Sequence, residues 1–277
     1  MIHAVAFSGG KDSTALLCWM REQGIEHETV FCDTGWEHED TLEYVWEIAE
    51  KFLGGRLTVL RSEKYDGLAD LVVRRNMVPS MRSRFCTEEL KVFPLHRWIE
   101  KQDDDVTLYQ GIRADESGPR SKMGDNEYLQ EAGGYWVKRP LYTWTAEQCF
   151  DLIQKHGLEP NNLYRKGARR VGCWPCVFTS FGELKALFQN TPGLRERLIA
   201  LEEQMNAGRD PLEYRTWFRV DKVPPEYCSQ WFRRKDGTLV RVPTVDDVIK
   251  YLGALDDRQL GMFGETPKCL SVYNLCE

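Results

Sequence analysis

Apolar and β-branched residues gather in short runs along the first part of the chain: Val5–Phe7, Thr29–Cys32, Leu57–Leu60, Val106–Gly111 and Tyr135–Val137. Each run has the length of one strand, and amphipathic stretches separate them. The clearest stretch places Leu42, Val45, Trp46, Ala49 and Phe52 at helical spacing, as one stripe on one face. Another helix is predicted to start at the capping box Thr145-Ala-Glu-Gln148 and to run to about His156. This alternation predicts an α/β fold, a mostly parallel Rossmann-like sheet with helices on both faces. Ligands of such sheets bind beyond the carboxyl ends of the strands.

The pattern changes after Cys176. Helices are predicted over Phe181–Gln189, Pro192–Asn206 and Val245–Leu255, between turn-rich segments holding Pro211, Pro224, Pro225 and Asp236-Gly237. The chain therefore reads as an α/β unit over 1–176 and a smaller, mainly helical and irregular region over 177–277, packed against it. No internal repeat or low-complexity segment is present.

The first strand runs into Ser8-Gly9-Gly10-Lys11-Asp12-Ser13-Thr14, with a helix start expected at Ser13. Such a turn aims backbone N–H groups at an anion. Gly9 and Gly10 let the backbone approach phosphate oxygens, Lys11 adds a mobile charge, and Ser8, Ser13 and Thr14 add hydroxyl donors. A Walker A loop would need a glycine where Val5 stands, so that reading is excluded. The plain alternative is an ordinary Gly-Gly turn. At the next strand end, Asp33 of Asp33-Thr34-Gly35 is suited either to hold ribose or adenine or to cap the following helix.

Composition narrows the class. The 277 residues carry a net charge of −6, so the whole surface is not built to attract nucleic acid. Tyr164–Arg170 and Trp231–Lys235 nevertheless mix aromatics with cations, a pattern suited to bases and phosphates. No apolar stretch nears the ~20 residues of a membrane span, and no secretory leader is expected before the loop. Nine cysteines, an odd number, point to a reducing, cytoplasmic setting and to metal or redox use. Cys173-Trp-Pro-Cys176 is a C-x-x-C turn compatible with zinc, an iron–sulfur cluster or a redox dithiol. Cys86 has Arg82, Arg84 and Lys91 around it, an environment that suits an anion. Cys18, Cys32 and Cys149 are expected as small buried hydrophobes, and Arg120 and Lys122 as surface charges.

Together these segments resemble known enzymes. The loop is similar to the PP-loop of the adenine-nucleotide α-hydrolases, which cleave ATP between its α and β phosphates. The order of that loop, Asp-Thr-Gly-Trp (33–36), Arg-Phe-Cys-Thr-x-x-Leu-Lys (84–91), Gly-Ile-Arg-Ala-Asp-Glu-Ser (111–117), Arg-Pro-Leu (139–141) and Gly-Cys-x-x-Cys (172–176) resembles the phosphoadenosine phosphosulfate (PAPS) reductase family over about residues 1–180. Within it, the chain is most similar to the branch holding the DNA-phosphorothioation ATP pyrophosphatase and phage-type members.

The resemblance implies a HUP-like fold, bound ATP with Mg²⁺, and a 4Fe-4S cluster near the nucleotide. Cys86, Cys173 and Cys176 match the cluster positions. A fourth ligand would come from the tail, Cys269 being favoured over Cys276, unless that iron stays open; a structural Zn²⁺ on the same residues is the alternative. Lys11 and Arg113 would face the phosphates, with Asp12 or Asp115 helping to hold Mg²⁺. Ser8, Gly9, Gly10, Ser13, Thr14, Asp33 and Gly111 complete the nucleotide site, while Arg84 and Lys91 would meet an anionic group. Cys276 would be left for persulfide chemistry. A cysteine desulfurase or other sulfur donor, and tRNA or DNA as acceptor, are the partners implied.

Two departures bear on activity. Phe85 stands where assimilatory reductases pair two cysteines, and their Glu-Cys-Gly-Leu-His-type tail is missing. The intact Ser-Gly-Gly-Lys-Asp-Ser favours ATP cleavage. The expected activity is thus an adenylating sulfurtransferase, with a sulfonucleotide reductase second and a non-catalytic nucleotide- or nucleic-acid-binding subunit third.

Overall fold

A computed structural model describes residues 1–80, 83–166 and 168–255. Six strands form one sheet: β1 (Ile2–Phe7), β2 (Glu28–Cys32), β3 (Thr58–Leu60), β4 (Val106–Gln110), β5 (Asn126–Leu129) and β6 (Tyr135–Lys138). Their spatial order is β3-β2-β1-β4-β6-β5. All neighbours run parallel except β5, which pairs antiparallel with β6 through Tyr128↔Trp136. Sequence order reverses between β1 and β4, the switch point at which a crevice opens beyond the strand ends. The five parallel positions match the apolar runs; the antiparallel edge strand β5 was not foreseen.

Alternating residues of each strand feed two cores. Val5, Phe7, Phe31 and Tyr109 pack with α1 (Lys11–Glu22), α2 (Glu39–Lys51) and α6 (Ala146–Lys155). Their neighbours Ala4, Val30 and Leu108 face the other way, onto Leu95 and Ile99 of α5 (Phe93–Glu100). The sheet is therefore covered on both faces, and every residue of β4 is buried. Leu16 and Leu17 of α1 are wholly enclosed, each such side chain contributing about 1.5–3 kcal/mol of burial. In α2 the stripe is rotated from expectation: Thr41, Tyr44, Val45, Ile48 and Ala49 are buried, whereas Trp46 is 53% exposed.

A third core crosses residue 177. Trp36, Leu68 of α3 (Leu68–Arg75), Phe85 of α4 (Phe85–Thr87) and Trp174 pack with Leu184 of α7 (Phe181–Asn190), Leu198 of α8 (Leu194–Asn206) and Val245 of α9 (Val245–Ala254). The rings of Trp36 and Trp217 lie 5.7 Å apart within it. The buried carboxylate of Glu202 accepts hydrogen bonds from the backbone N–H groups of Trp217 and Val245 and from the hydroxyls of Thr216 and Tyr214, tying α8 to the segments after it. The C-terminal region also contains an antiparallel hairpin, β7 (Gln230–Arg233) and β8 (Leu239–Val242), beside the three helices expected there. Among the described residues no helix is long and apolar enough to cross a membrane.

Candidate active site

At the end of β1 the chain turns at Gly9 (φ +78°) and α1 begins at Lys11, two residues before the expected start. The hydroxyls of Ser13 and Thr14 explain the difference. Both donate to the Gly10 carbonyl at 3.0 Å, drawing the first turn tight against the glycine. The Ser8 backbone N–H donates to Ser13 Oγ at 3.2 Å and closes the loop. Gly10 is the N-cap and has no side chain, so the positive end of α1 is presented to the crevice.

Asp12 organises the charges. It is fully buried; its Oδ2 lies 2.9 Å from Lys11 Nζ and its Oδ1 2.6 Å from Arg113 Nε. Arg113, 4% exposed, also pairs with the more exposed Asp115. Burial alone would lower Arg113, but Asp12, Glu116 and Asp115 outweigh it and hold the guanidinium firmly charged. One buried carboxylate thus serves two cations.

Gly111 makes this contact possible. A Cβ there would lie 2.6 Å from the carbonyl carbon and oxygen of Asp12 and 2.7 Å from the Ser13 nitrogen, all backbone atoms. Only glycine lets the end of β4 lie directly on the loop.

Two side chains from far along the chain complete the loop. Tyr164 Oη accepts from the Lys11 backbone N–H at 2.9 Å, and Asn161 Nδ2 donates to the Gly9 carbonyl at 3.3 Å. Nothing in the local sequence around Tyr164 signals this role. In the same basic stretch Lys166 pairs with Asp40 at 2.7 Å and Arg165 with Glu159 at 2.5 Å. Arg120, expected on the surface, is 1% exposed and pairs with Glu116, whose carboxylate also accepts from the Arg113 backbone N–H. It braces the loop that carries Arg113.

Beyond the loop lies a cleft lined by Ser8, Ser13, Val30, Phe31, Gln110 and Gly111 among others. Its apolar walls suit a base and its loop end suits phosphates. Cys32 also lines it, and burial pushes that thiol up to about 12. Like Lys11, Asp12 and Arg113, Asp33 does not line the cleft. Its carboxylate accepts from the Gly35 N–H at 2.9 Å and pairs with Arg61, holding the turn after β2.

A second cavity is lined by Cys86, Cys173, Cys176 and Arg84 among others. Lys91 and Gly172 line both spaces, so the two adjoin. Lys91 belongs to a π turn (Glu88–Val92) between α4 and α5, an irregularity frequent at functional sites. The turn after β2 and the C-x-x-C segment are stitched together. Glu37 bridges in strand fashion to Cys173, and the Trp174 N–H donates to the Trp36 carbonyl at 2.7 Å. Glu37 is buried, which raises its carboxyl despite a 2.6 Å hydrogen bond from Thr34 Oγ1. The same hydroxyl lies 3.6 Å from Cys173 Sγ. Burial pushes the Cys173 thiol up to about 11, opposed by Lys91. Among the described residues no three His, Cys, Asp or Glu side chains are grouped to hold a metal ion. Cys269 and Cys276 lie outside the described residues. Cys18, Cys149 and Cys228 are buried.

A family model, the phosphoadenosine phosphosulfate reductase domain, matches residues 2–178. The chain belongs to this family. A 37.8 kDa uncharacterised protein of Escherichia phage 186 is 32% identical over 242 residues, 69% of this chain and 71% of that protein. An uncharacterised protein of Methanocaldococcus jannaschii is 31% identical over 222 residues, 77% of this chain but only 45% of the longer relative. An adenosine 5'-phosphosulfate reductase of Deinococcus radiodurans is 28% identical over 166 residues, 60% of this chain and 62% of that enzyme. Among PAPS reductases of known structure, the Candida auris enzyme in its phosphate complex shares the fold, with a TM-score of 0.51 at 16% identity, over 64% of this chain and 83% of that one.

Proposed function

We propose that this family member binds ATP with its phosphates on the Ser8–Thr14 loop and transfers the adenylyl group to an acceptor. The observation that carries this reading is the buried Lys11–Asp12–Arg113 chain at the sheet's switch point. A nucleophile on the acceptor forms a bond to the α-phosphorus while the bond from that phosphorus to the bridging oxygen breaks. The electron pair leaves with pyrophosphate, and the acceptor's proton passes to solvent. Lys11 and Arg113 stabilise charge as it builds on the phosphate oxygens. Asp12 orients both cations; Asp115, 55% exposed, would share Mg²⁺.

Sulfonucleotide reduction is the second reading, favoured by the relatives named adenosine 5'-phosphosulfate reductase. One assay separates the two. Protein incubated with ATP, water serving as acceptor, and in parallel with adenylyl sulfates plus a dithiol that supplies the two electrons, is expected to release pyrophosphate from ATP; sulfite from the sulfates without pyrophosphate from ATP reverses the assignment. Lys11→Ala should lower ATP turnover or affinity at least ~10-fold, since a charge-assisted phosphate contact contributes ~1.5–3 kcal/mol. Unchanged turnover would place the phosphates elsewhere.

Cys86, Cys173 and Cys176 line one cavity, and their sulfurs, once deprotonated, are donors that suit either a 4Fe-4S cluster or a single Zn²⁺; the match of these three cysteines to the family's cluster positions favours the cluster. When bound, the cluster supplies a redox-capable, sulfur-binding centre beside the nucleotide. Cys269 or Cys276 remains the proposed source of a fourth ligand, with Cys276 for persulfide chemistry. Arg84, stacked 4.7 Å over the Phe178 ring, and Lys91 place positive charge around the three thiolates. Protein purified without oxygen should carry about four irons per chain, and Cys86→Ala, Cys173→Ala or Cys176→Ala should each lose them while Cys18→Ala keeps them. One zinc per chain from the same preparation would favour the structural alternative.

A further inference from the structure

Of the two basic–aromatic stretches in the sequence, the first is absorbed into the fold: Tyr164 holds the loop, and Lys166 and Arg165 have acidic partners. The second is presented to solvent. It forms the β7–β8 hairpin, whose register pairs Trp231 with Arg241 and Arg233 with Leu239 on one face. Phe232, Val240 and Val242 turn the other way, and Val242 is buried. Leu212 and Tyr214 hydrogen-bond along the β7 side, so the ribbon is fixed to the body through that edge.

The outward face is unusual for this chain. Residues 230–242 carry Arg233, Arg234, Lys235 and Arg241 against one carboxylate, Asp236, in a protein of net charge −6. Asp236 is occupied in accepting from the Thr238 N–H at 2.9 Å, and Asp210 reaches Arg233 only at 3.8 Å. Trp231 is 39% exposed, with the Arg241 guanidinium 5.2 Å from its ring centre. An indole held by a cation, with three further cations at and beside the turn, offers a stacking surface next to phosphate-binding groups.

We propose that the β7–β8 hairpin binds a single-stranded nucleic acid, stacking a base on Trp231 and placing phosphates on Arg233, Arg234, Lys235 and Arg241. The proposal stands apart from the chemistry at the Ser8–Thr14 loop, and neither depends on the other. A partner recognised by charge alone, such as an acidic polypeptide, would make no use of the indole.

The test is fluorescence anisotropy of the full chain with labelled 20-mer oligothymidylate and oligouridylate, at salt rising from about 50 mM. Binding is expected to weaken with salt. Substituting Arg233, Arg234 and Lys235 together by Ala should cost at least tenfold and reduce the slope of log K on log salt by about 2, since each phosphate contact on a single strand contributes about 0.7. Trp231→Ala should cost on the order of tenfold with the slope unchanged. Both variants should keep the wild-type melting temperature and pyrophosphate release. Salt-sensitive binding of either oligonucleotide supports the proposal. Absence of binding at about 50 mM salt, wild-type affinity in the triple variant, or an unchanged Trp231→Ala with heparin competing as well as the oligonucleotides would each overturn it.

Discussion

Gly111→Ala should abolish nucleotide turnover while leaving a folded protein. The added methyl would sit 2.6 Å from the Asp12 carbonyl and 2.7 Å from the Ser13 nitrogen, closer than real Cβ atoms approach. Neither neighbour is the end of a flexible side chain. The loop must therefore move off β4, carrying Lys11 and the hydroxyl donors with it. Displacement of a reacting group by about 1 Å costs on the order of 100-fold in rate, and at least that loss of pyrophosphate release is expected. Gly118→Ala is the matched control. It lies in the segment after Arg113, has no heavy atom within 4 Å of the added methyl, and should be indistinguishable from wild type. Full activity in Gly111→Ala would show that the contact between β4 and the loop is not needed for phosphate binding.

Most of the fold was legible because period and length are local properties. The parallel strands and four of the long helices begin and end near where apolar periodicity and capping residues place them. Misreadings arise where a residue type is outvoted by its surroundings. Trp46 is apolar by type, yet the face of α2 that meets the sheet centres on Val45 and Ile48 and leaves the indole in water. Strand β5, Asn-Glu-Tyr-Leu, is an edge strand with half its surface wet, so it lacks the apolar run that marked its neighbours. The site divides in the same way. Glycines, Lys11 and Asp12 are adjacent in sequence and announce an anion loop. Tyr164 meets Lys11 across 153 residues, and the stitching of Glu37 to Cys173 likewise joins distant loops. The Arg120–Glu116 pair has i,i+4 spacing that could have signalled it, but its burial depends on how residues 113–124 fold back.

Asp12→Asn tests whether that buried carboxylate is an organiser. The amide keeps the shape and removes the charge, so Lys11 loses this ion pair and Arg113 keeps Asp115 and the nearby Glu116. Breaking a buried pair from one side costs ~3–5 kcal/mol, because a charge remains desolvated without its partner. A chain of this size loses about 2–4 °C of melting temperature per kcal/mol, so a drop of roughly 6–20 °C is expected in the absence of ligand. Two consequences distinguish this cause from mere loss of a hydrogen bond. Pyrophosphate should stabilise Asp12→Asn more than wild type, since an anion can replace the missing charge between the two cations. Asp12→Asn combined with Lys11→Met should melt above Asp12→Asn alone, because one of the two cations left facing the neutral amide is then removed. Nucleotide turnover should fall in both variants, as neither holds Lys11 against the phosphates. If the double variant melts below the single one, Lys11 is stabilised by something other than Asp12, and the loop's charges are organised differently from the chain drawn here.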